Sequence, residues 1–121
     1  MARVLLVEDD RWQAECYALW LTQAGHDVQV VHDAQSALDA LDDESPHVLV
    51  LDILLPHANG VQLLHQMRSY TDMSSMAVVL CSSTQPPANV DLAAYGVAAV
   101  LDKTTLTPQL LRQTVARYAA T

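Results

Sequence analysis

Basic residues are scarce in this chain: six Lys plus Arg stand against fourteen Asp plus Glu, for a net charge of −8. Binding to nucleic-acid phosphates needs cationic side chains in number, so direct nucleic-acid binding by this domain is not expected. The imbalance suits a cationic cofactor or a basic partner instead. Cysteine is equally sparse. Cys16 and Cys81 lie far apart and outside any C-x-x-C spacing, which points to neither a disulfide framework nor a zinc site, and both read as small buried hydrophobes. No apolar run approaches the roughly 18 residues that cross a bilayer. The stretch Met1 to Val7 lacks the basic segment and long apolar core of a secretion signal. No membrane association and a cytoplasmic location are therefore expected.

What is there is an ordinary globular composition. With 121 residues, 51% hydrophobic and 17% charged, the chain can bury one core but not two, and 1–121 is read as a single domain.

The densest apolar stretch is His47 to Pro56, HVLVLDILLP, in which Val48 to Leu51 run unbroken into Asp52. A strand buried on both faces has this habit, and it belongs in the centre of a parallel sheet. Shorter copies recur. Arg3 to Val7 (RVLLV) ends in Glu8-Asp9-Asp10, Ala77 to Cys81 (AVVLC) ends in Ser82-Ser83-Thr84, and Val97 to Leu101 (VAAVL) ends in Asp102-Lys103. Asp27 to Val31 (DVQVV) adds a fifth strand.

Helical spacing fills the gaps. Trp12, Cys16, Leu19, Trp20 and Ala24 define a face that stops at Gly25. Asp33 can cap a helix bearing Ala37, Leu38 and Leu41, and Val61, Leu63, Leu64 and Met67 mark a third after the Pro56 to Gly60 turn. Pro86-Pro87 leaves room only for a short, weak fourth helix from about Ala88 to Tyr95 before Gly96. Thr107-Pro108 opens the last helix, with Leu110, Leu111, Val115 and Tyr118 on its apolar face. Five strands alternating with five helices imply an α/β parallel sheet covered on both faces, a doubly wound layout.

Chemistry-bearing residues gather at the strand ends. Glu8-Asp9, Asp52 and Lys103 follow strands one, three and five, and Ser82 follows strand four. In open α/β sheets that edge collects ligands, although an Asp after a strand also serves simply to start a turn. Two like charges 4 Å apart repel by about 4 kcal/mol at an effective dielectric of 20, so converging carboxylates call for a cation. Oxygen ligands select Mg²⁺. A metal and an ammonium beside one carboxylate are what an arriving phosphoryl group requires, which makes Asp52 a candidate nucleophile for an acyl phosphate.

These residues resemble the receiver domains of two-component response regulators. The matching pieces are V-E-D-D at Val7 to Asp10, L-D-I-L-L-P at Leu51 to Pro56 with Gly60 beyond, L-C-S-S at Leu80 to Ser83, and L-D-K at Leu101 to Lys103. Their spacing is 43 residues from Asp9 to Asp52, 30 to Ser82 and 21 more to Lys103. The resemblance implies a flavodoxin-like five-stranded sheet in the order 2-1-3-4-5. It implies Asp52 as phosphoacceptor, Glu8 and Asp9 as the acidic pair, and Asp52 and the Leu54 backbone carbonyl as further Mg²⁺ ligands. Ser82 would reach a phosphoryl oxygen, and Lys103 would pair with the phosphate. Asp10 is read as an onlooker. The phosphoryl donor would be a histidine kinase or a histidine phosphotransfer protein, and the downstream partner another protein or a C-terminal output domain, none being contained in 1–121. The family also dimerises through the face of its fourth helix, fifth strand and fifth helix.

Two positions depart from the family. Val100 stands three before the lysine, where an aromatic side chain commonly rotates on phosphorylation, and a valine cannot swing in that way. Thr104 follows Lys103 in place of a common cis proline. A non-proline cis bond costs about 2.5 to 4 kcal/mol, so a trans peptide is expected. Leu54 and Thr84 take two variable positions that tune phosphoryl loss. Apolar Leu54 offers no hydrogen bond to an attacking water, so acyl-phosphate decay should be faster in Leu54→Asn than in the natural protein. Equal decay rates in the two would refute this.

The departures leave a second reading open, a receiver-like interaction module that works without phosphorylation. A phosphatase with an aspartyl nucleophile is disfavoured, because Asp52-Ile53-Leu54 lacks a second Asp two residues on. The five histidines, His26, His32, His47, His57 and His65, show no metal-ligand spacing and read as surface polar residues. Trp12 either covers the site or packs along its helix.

Overall fold

The computed structural model describes residues 2–52, 54–55, 58–70, 76–83 and 91–119. Strands β1 (Arg3–Val7), β2 (Asp27–Val31), β3 (Val48–Asp52), β6 (Ala77–Ser82) and β7 (Val97–Asp102) form one sheet in the order β2-β1-β3-β6-β7. Every neighbouring pair in it is parallel. The order is the expected 2-1-3-4-5. A two-stranded antiparallel pair, β4 (Leu54–Leu55) with β5 (Ala58–Asn59), follows β3 where only a turn was expected.

Successive side chains of a strand point to opposite faces, so each central strand feeds two cores. Leu5, Val7, Leu49, Leu51, Val78 and Leu80 pack under α2 (Ala34–Asp43) and α3 (Gly60–Tyr70), with Ala37, Leu41, Leu63, Leu64 and Met67. Val4, Leu6, Val48, Val50, Val79 and Cys81 pack under α1 (Arg11–Gln23) and α4 (Pro108–Ala119), with Ala14, Tyr17, Leu21, Leu111 and Val115. All five residues of β3 are buried. A polar residue anywhere between Val48 and Leu51 would enter one core or the other without a partner, which explains the unbroken apolar run.

The expectation of five helices is corrected. Among the described residues there are four α-helices, and those of the fourth crossover hold one 3₁₀ turn, Leu92–Tyr95. Asp91 caps that turn and Gly96, at φ +79°, ends it in the left-handed region, leaving four residues between start and stop. Its bonds run from Ala94 N–H to Asp91 O at 3.2 Å and from Gly96 N–H to Ala93 O at 3.1 Å, the i to i+3 pattern of a 3₁₀ helix. Pro86-Pro87 lie outside the described residues.

Helix α1 is also rotated from the expected face. Ala14, Tyr17 and Leu21 are buried, whereas Trp12 and Leu19 are 75% and 55% exposed. Apolar residues surround this helix, so spacing alone does not choose a face. The start is fixed by Asp10, whose carboxylate accepts from the N–H groups of Trp12 and Gln13 at 3.0 and 3.2 Å. On α4, Leu111 and Val115 are buried as expected, while Leu110 is 37% exposed. The caps at Asp33 and Thr107 are present, accepting from Ser36 N–H at 2.8 Å and Leu110 N–H at 3.1 Å. Gly25 turns the chain at φ +94°.

Two histidines have structural work at the amino end of β1. Nδ1 of His26 accepts from Ala2 N–H at 3.2 Å, and Nδ1 of His47 accepts from Arg3 N–H at 2.9 Å. Among the described residues, no helix is long and apolar enough to cross a membrane.

Candidate functional site

Parallel strands with helices on both faces bring all their carboxyl ends to one edge, and there the sequence places its charged residues. Glu8 and Asp9 follow β1, Asp52 ends β3, Ser82 ends β6, and Lys103 follows β7. The β6–β7 ladder extends to Lys103, whose N–H donates to Ser82 O at 2.9 Å. The Lys103–Thr104 peptide is trans, as expected. Asp102 holds the turn beyond it by accepting from Thr104 N–H at 2.8 Å and from Thr104 Oγ1 at 2.7 Å. Those bonds hold the Asp102 carboxyl below its usual value.

Lys103 is the hub. Its Nζ donates to Glu8 Oε1 at 2.5 Å, to Asp52 Oδ2 at 2.9 Å and to Gln13 Oε1 at 3.1 Å. The ion pairs are shielded: the side chains of Lys103, Glu8 and Asp52 are 12%, 1% and 7% exposed. Burial pushes the Glu8 carboxyl up to about 7, with Asp52 adding to the rise and the Lys103 hydrogen bond opposing it. Burial pulls the Lys103 ammonium the other way, but its bonds to Glu8 and Asp52 outweigh that and hold it above its ordinary value. The neighbouring Cys81 thiol is pushed up to about 12 by burial, so it stays a neutral thiol.

Glu8, Asp9 and Asp52 each present one carboxylate oxygen, all within 4.8 Å of one another. Glu8 and Asp52 are buried and Asp9 is exposed. Three carboxylates against one ammonium leave the cluster short of positive charge. Hard oxygen donors at this spacing fit a divalent cation such as Mg²⁺, which takes one or two carboxylates directly and keeps several waters. An open cavity of about 420 Å³ lies over the cluster, lined by Glu8, Asp9, Asp52, Lys103 and Gln13 among others.

The structure thus brings together Glu8, Asp9, Asp52 and Lys103. Ser82 is buried at the end of β6, and its neighbour Ser83 lines the cavity. Leu54 lies in β4, two residues beyond Asp52. Val100 is 44% exposed on the edge strand β7. Trp12 neither lines the cavity nor packs inward. One residue of the cluster escaped the sequence reading, and so did one cap. Asp10 caps α1, which the pattern of an Asp before a helix start could have shown. Gln13 joins the Lys103 network, and nothing in the sequence signals it.

The sequence profile of the response regulator receiver domain matches residues 4–116. This chain belongs to that family, the receiver domains of two-component phosphorelay signalling. Among curated proteins, response regulator MprA of Mycobacterium avium is 37% identical over 70 residues, and transcriptional regulatory protein TrcR of Mycobacterium tuberculosis is 42% identical over 66 residues. Those matches cover 58% and 54% of this chain but only 31% and 26% of the relatives' own lengths. Among solved structures, a sensor protein from Polaromonas sp. JS666 superposes with a TM-score of 0.85 at 26% identity, covering 98% of this chain and 95% of that one. The Francisella response regulator 1452 receiver domain shares the fold at a TM-score of 0.86 and 22% identity, over 99% of this chain and 98% of that one.

Proposed function

We propose that this receiver domain accepts a phosphoryl group on Asp52 from a histidine kinase or histidine phosphotransfer protein, and that phosphorylation changes its affinity for a partner. The observation that carries this reading is the Lys103 ammonium at 2.9 Å from Asp52 Oδ2, with Glu8 and Asp9 beside it. A carboxylate oxygen of Asp52 attacks phosphorus, the donor's P–N bond breaks, and the imidazole leaves with the bonding pair. Lys103 then turns from the carboxylate to a phosphoryl oxygen, and the Ser82 hydroxyl donates to another. Glu8, Asp9, Asp52 and the Leu54 carbonyl would hold Mg²⁺, which supplies charge neutralisation for the transferring group. The domain acts as a signalling phosphoacceptor with slow autodephosphorylation, not as a turnover enzyme. Its downstream partner is a second protein, an output domain or another copy meeting the β7–α4 face.

Incubation with Mg²⁺ and acetyl phosphate should add the mass of one phosphoryl group, and Asp52→Asn should abolish the gain. The second reading, an interaction module independent of phosphorylation, draws on Val100, which cannot rotate as an aromatic switch does. An unmodified natural protein in that experiment would select it.

A further inference from the structure

Of the three acceptors around the Lys103 ammonium, two are carboxylates and the third is the neutral amide of Gln13, at 3.1 Å. Lysine is a compact charge on a flexible four-carbon stem, so its position depends on what surrounds its three N–H donors. With only the carboxylates present, the ammonium would be drawn toward Glu8, the nearer at 2.5 Å against 2.9 Å for Asp52. Gln13 supplies a third direction. Its backbone N–H is tied to Asp10 Oδ1 at 3.2 Å, and the next residue, Ala14, is fully buried under the sheet. The amide therefore extends from a fixed first turn of α1, and it carries no charge for a proton or metal to cancel.

We propose that Gln13 is a positioning residue for phosphoryl transfer to Asp52: its amide oxygen keeps the Lys103 ammonium beside Asp52 while that carboxylate becomes an acyl phosphate. This rests on the reading of Asp52 as phosphoacceptor. During transfer, an Asp52 oxygen forms the bond to phosphorus and the donor's bond to phosphorus breaks. The ammonium then loses a carboxylate acceptor and gains a phosphoryl one. Of the two acceptors that the exchange leaves in place, Glu8 would also hold the metal, whereas Gln13 serves the ammonium without that competition.

Gln13→Met keeps the side-chain length and removes the acceptor. Phosphoryl gain from acetyl phosphate should slow about tenfold, the rate equivalent of a hydrogen bond to a charged group, with Mg²⁺ affinity unchanged. The Lys103 ammonium nitrogen resonance gives a readout independent of activity. It should be visible in the natural protein, where three acceptors slow proton exchange, be lost in Gln13→Met, and return in Gln13→Glu, which keeps an acceptor at the same reach. A Gln13→Met protein phosphorylated at the natural rate overturns the proposal and leaves the function standing. So does a slowed variant whose ammonium resonance is unaltered, because the effect is then merely structural. A natural protein that gains no phosphoryl group defeats the functional reading, and this proposal with it.

Discussion

Replacing Lys103 with Met should destabilise the metal-free protein by about 3–5 kcal/mol at pH 8, the usual cost of removing one partner from a buried ion pair. The pair qualifies as buried, since the Lys103 side chain is 12% exposed and that of Glu8 is 1% exposed. Without the ammonium, Glu8 and Asp52 face each other with no counter-charge, and Asp9 adds a third carboxylate at the rim. The loss should shrink towards pH 6. Burial already pushes Glu8 up to about 7, so below that pH it takes a proton and no longer needs the lysine. Urea unfolding of both proteins at pH 6 and pH 8, without metal, measures this. A loss below about 1 kcal/mol at pH 8 would show that the bridge adds no more than a surface salt bridge.

Mg²⁺ binding should weaken steeply in mild acid. The cluster would hold a metal more tightly with Glu8 ionised, and a carboxyl raised to about 7 makes the metal compete with a proton throughout the neutral range. Affinity should be full above pH 8 and fall about tenfold per unit below pH 7, the slope of one displaced proton. The same shift has a folding sign. A carboxyl whose folded value lies above its ordinary 4.5 contributes stability that is fully present below pH 4.5 and lost as pH rises through about 7. Metal-free protein therefore gives up this contribution near pH 8, and Mg²⁺ should restore it there. Calorimetric Mg²⁺ titrations at pH 6, 7 and 8 test the competition, with Glu8→Gln as the variant in which the pH dependence disappears. An affinity independent of pH across that range would show that Glu8 is ionised throughout.

The parallel sheet and the placing of the charged residues at its edge were legible because both follow from short-range pattern, whereas the strand order came from the resemblance to receiver domains. A strand with a core on each face must be apolar throughout, as Val48 to Leu51 are, and parallel connections carry all strand ends to one edge. The face of α1 was not legible. Its apolar residues point in several directions, so the phase comes from the Asp10 cap and from Ala14, Tyr17 and Leu21 fitting the sheet. The fourth crossover misled for a related reason: Gly96 is a genuine stop signal, but the described residues before it hold one 3₁₀ turn that starts at Asp91. Gln13 was hidden because its role depends on a contact with Lys103, 90 residues away. His26 and His47 were read as surface polar residues; His47 is exposed, and both also accept backbone N–H groups at the amino end of β1, from Ala2 and Arg3, contacts that spacing does not signal across such separations.

Strand β3 is the fully buried centre of the sheet, paired with β1 on one side and β6 on the other. Amides so placed exchange their hydrogens with solvent only when the whole domain opens. Val48 to Asp52 should thus be among the slowest-exchanging segments of the chain, and Asp52 stands at its very end. A charge added there would be anchored to backbone that does not yield.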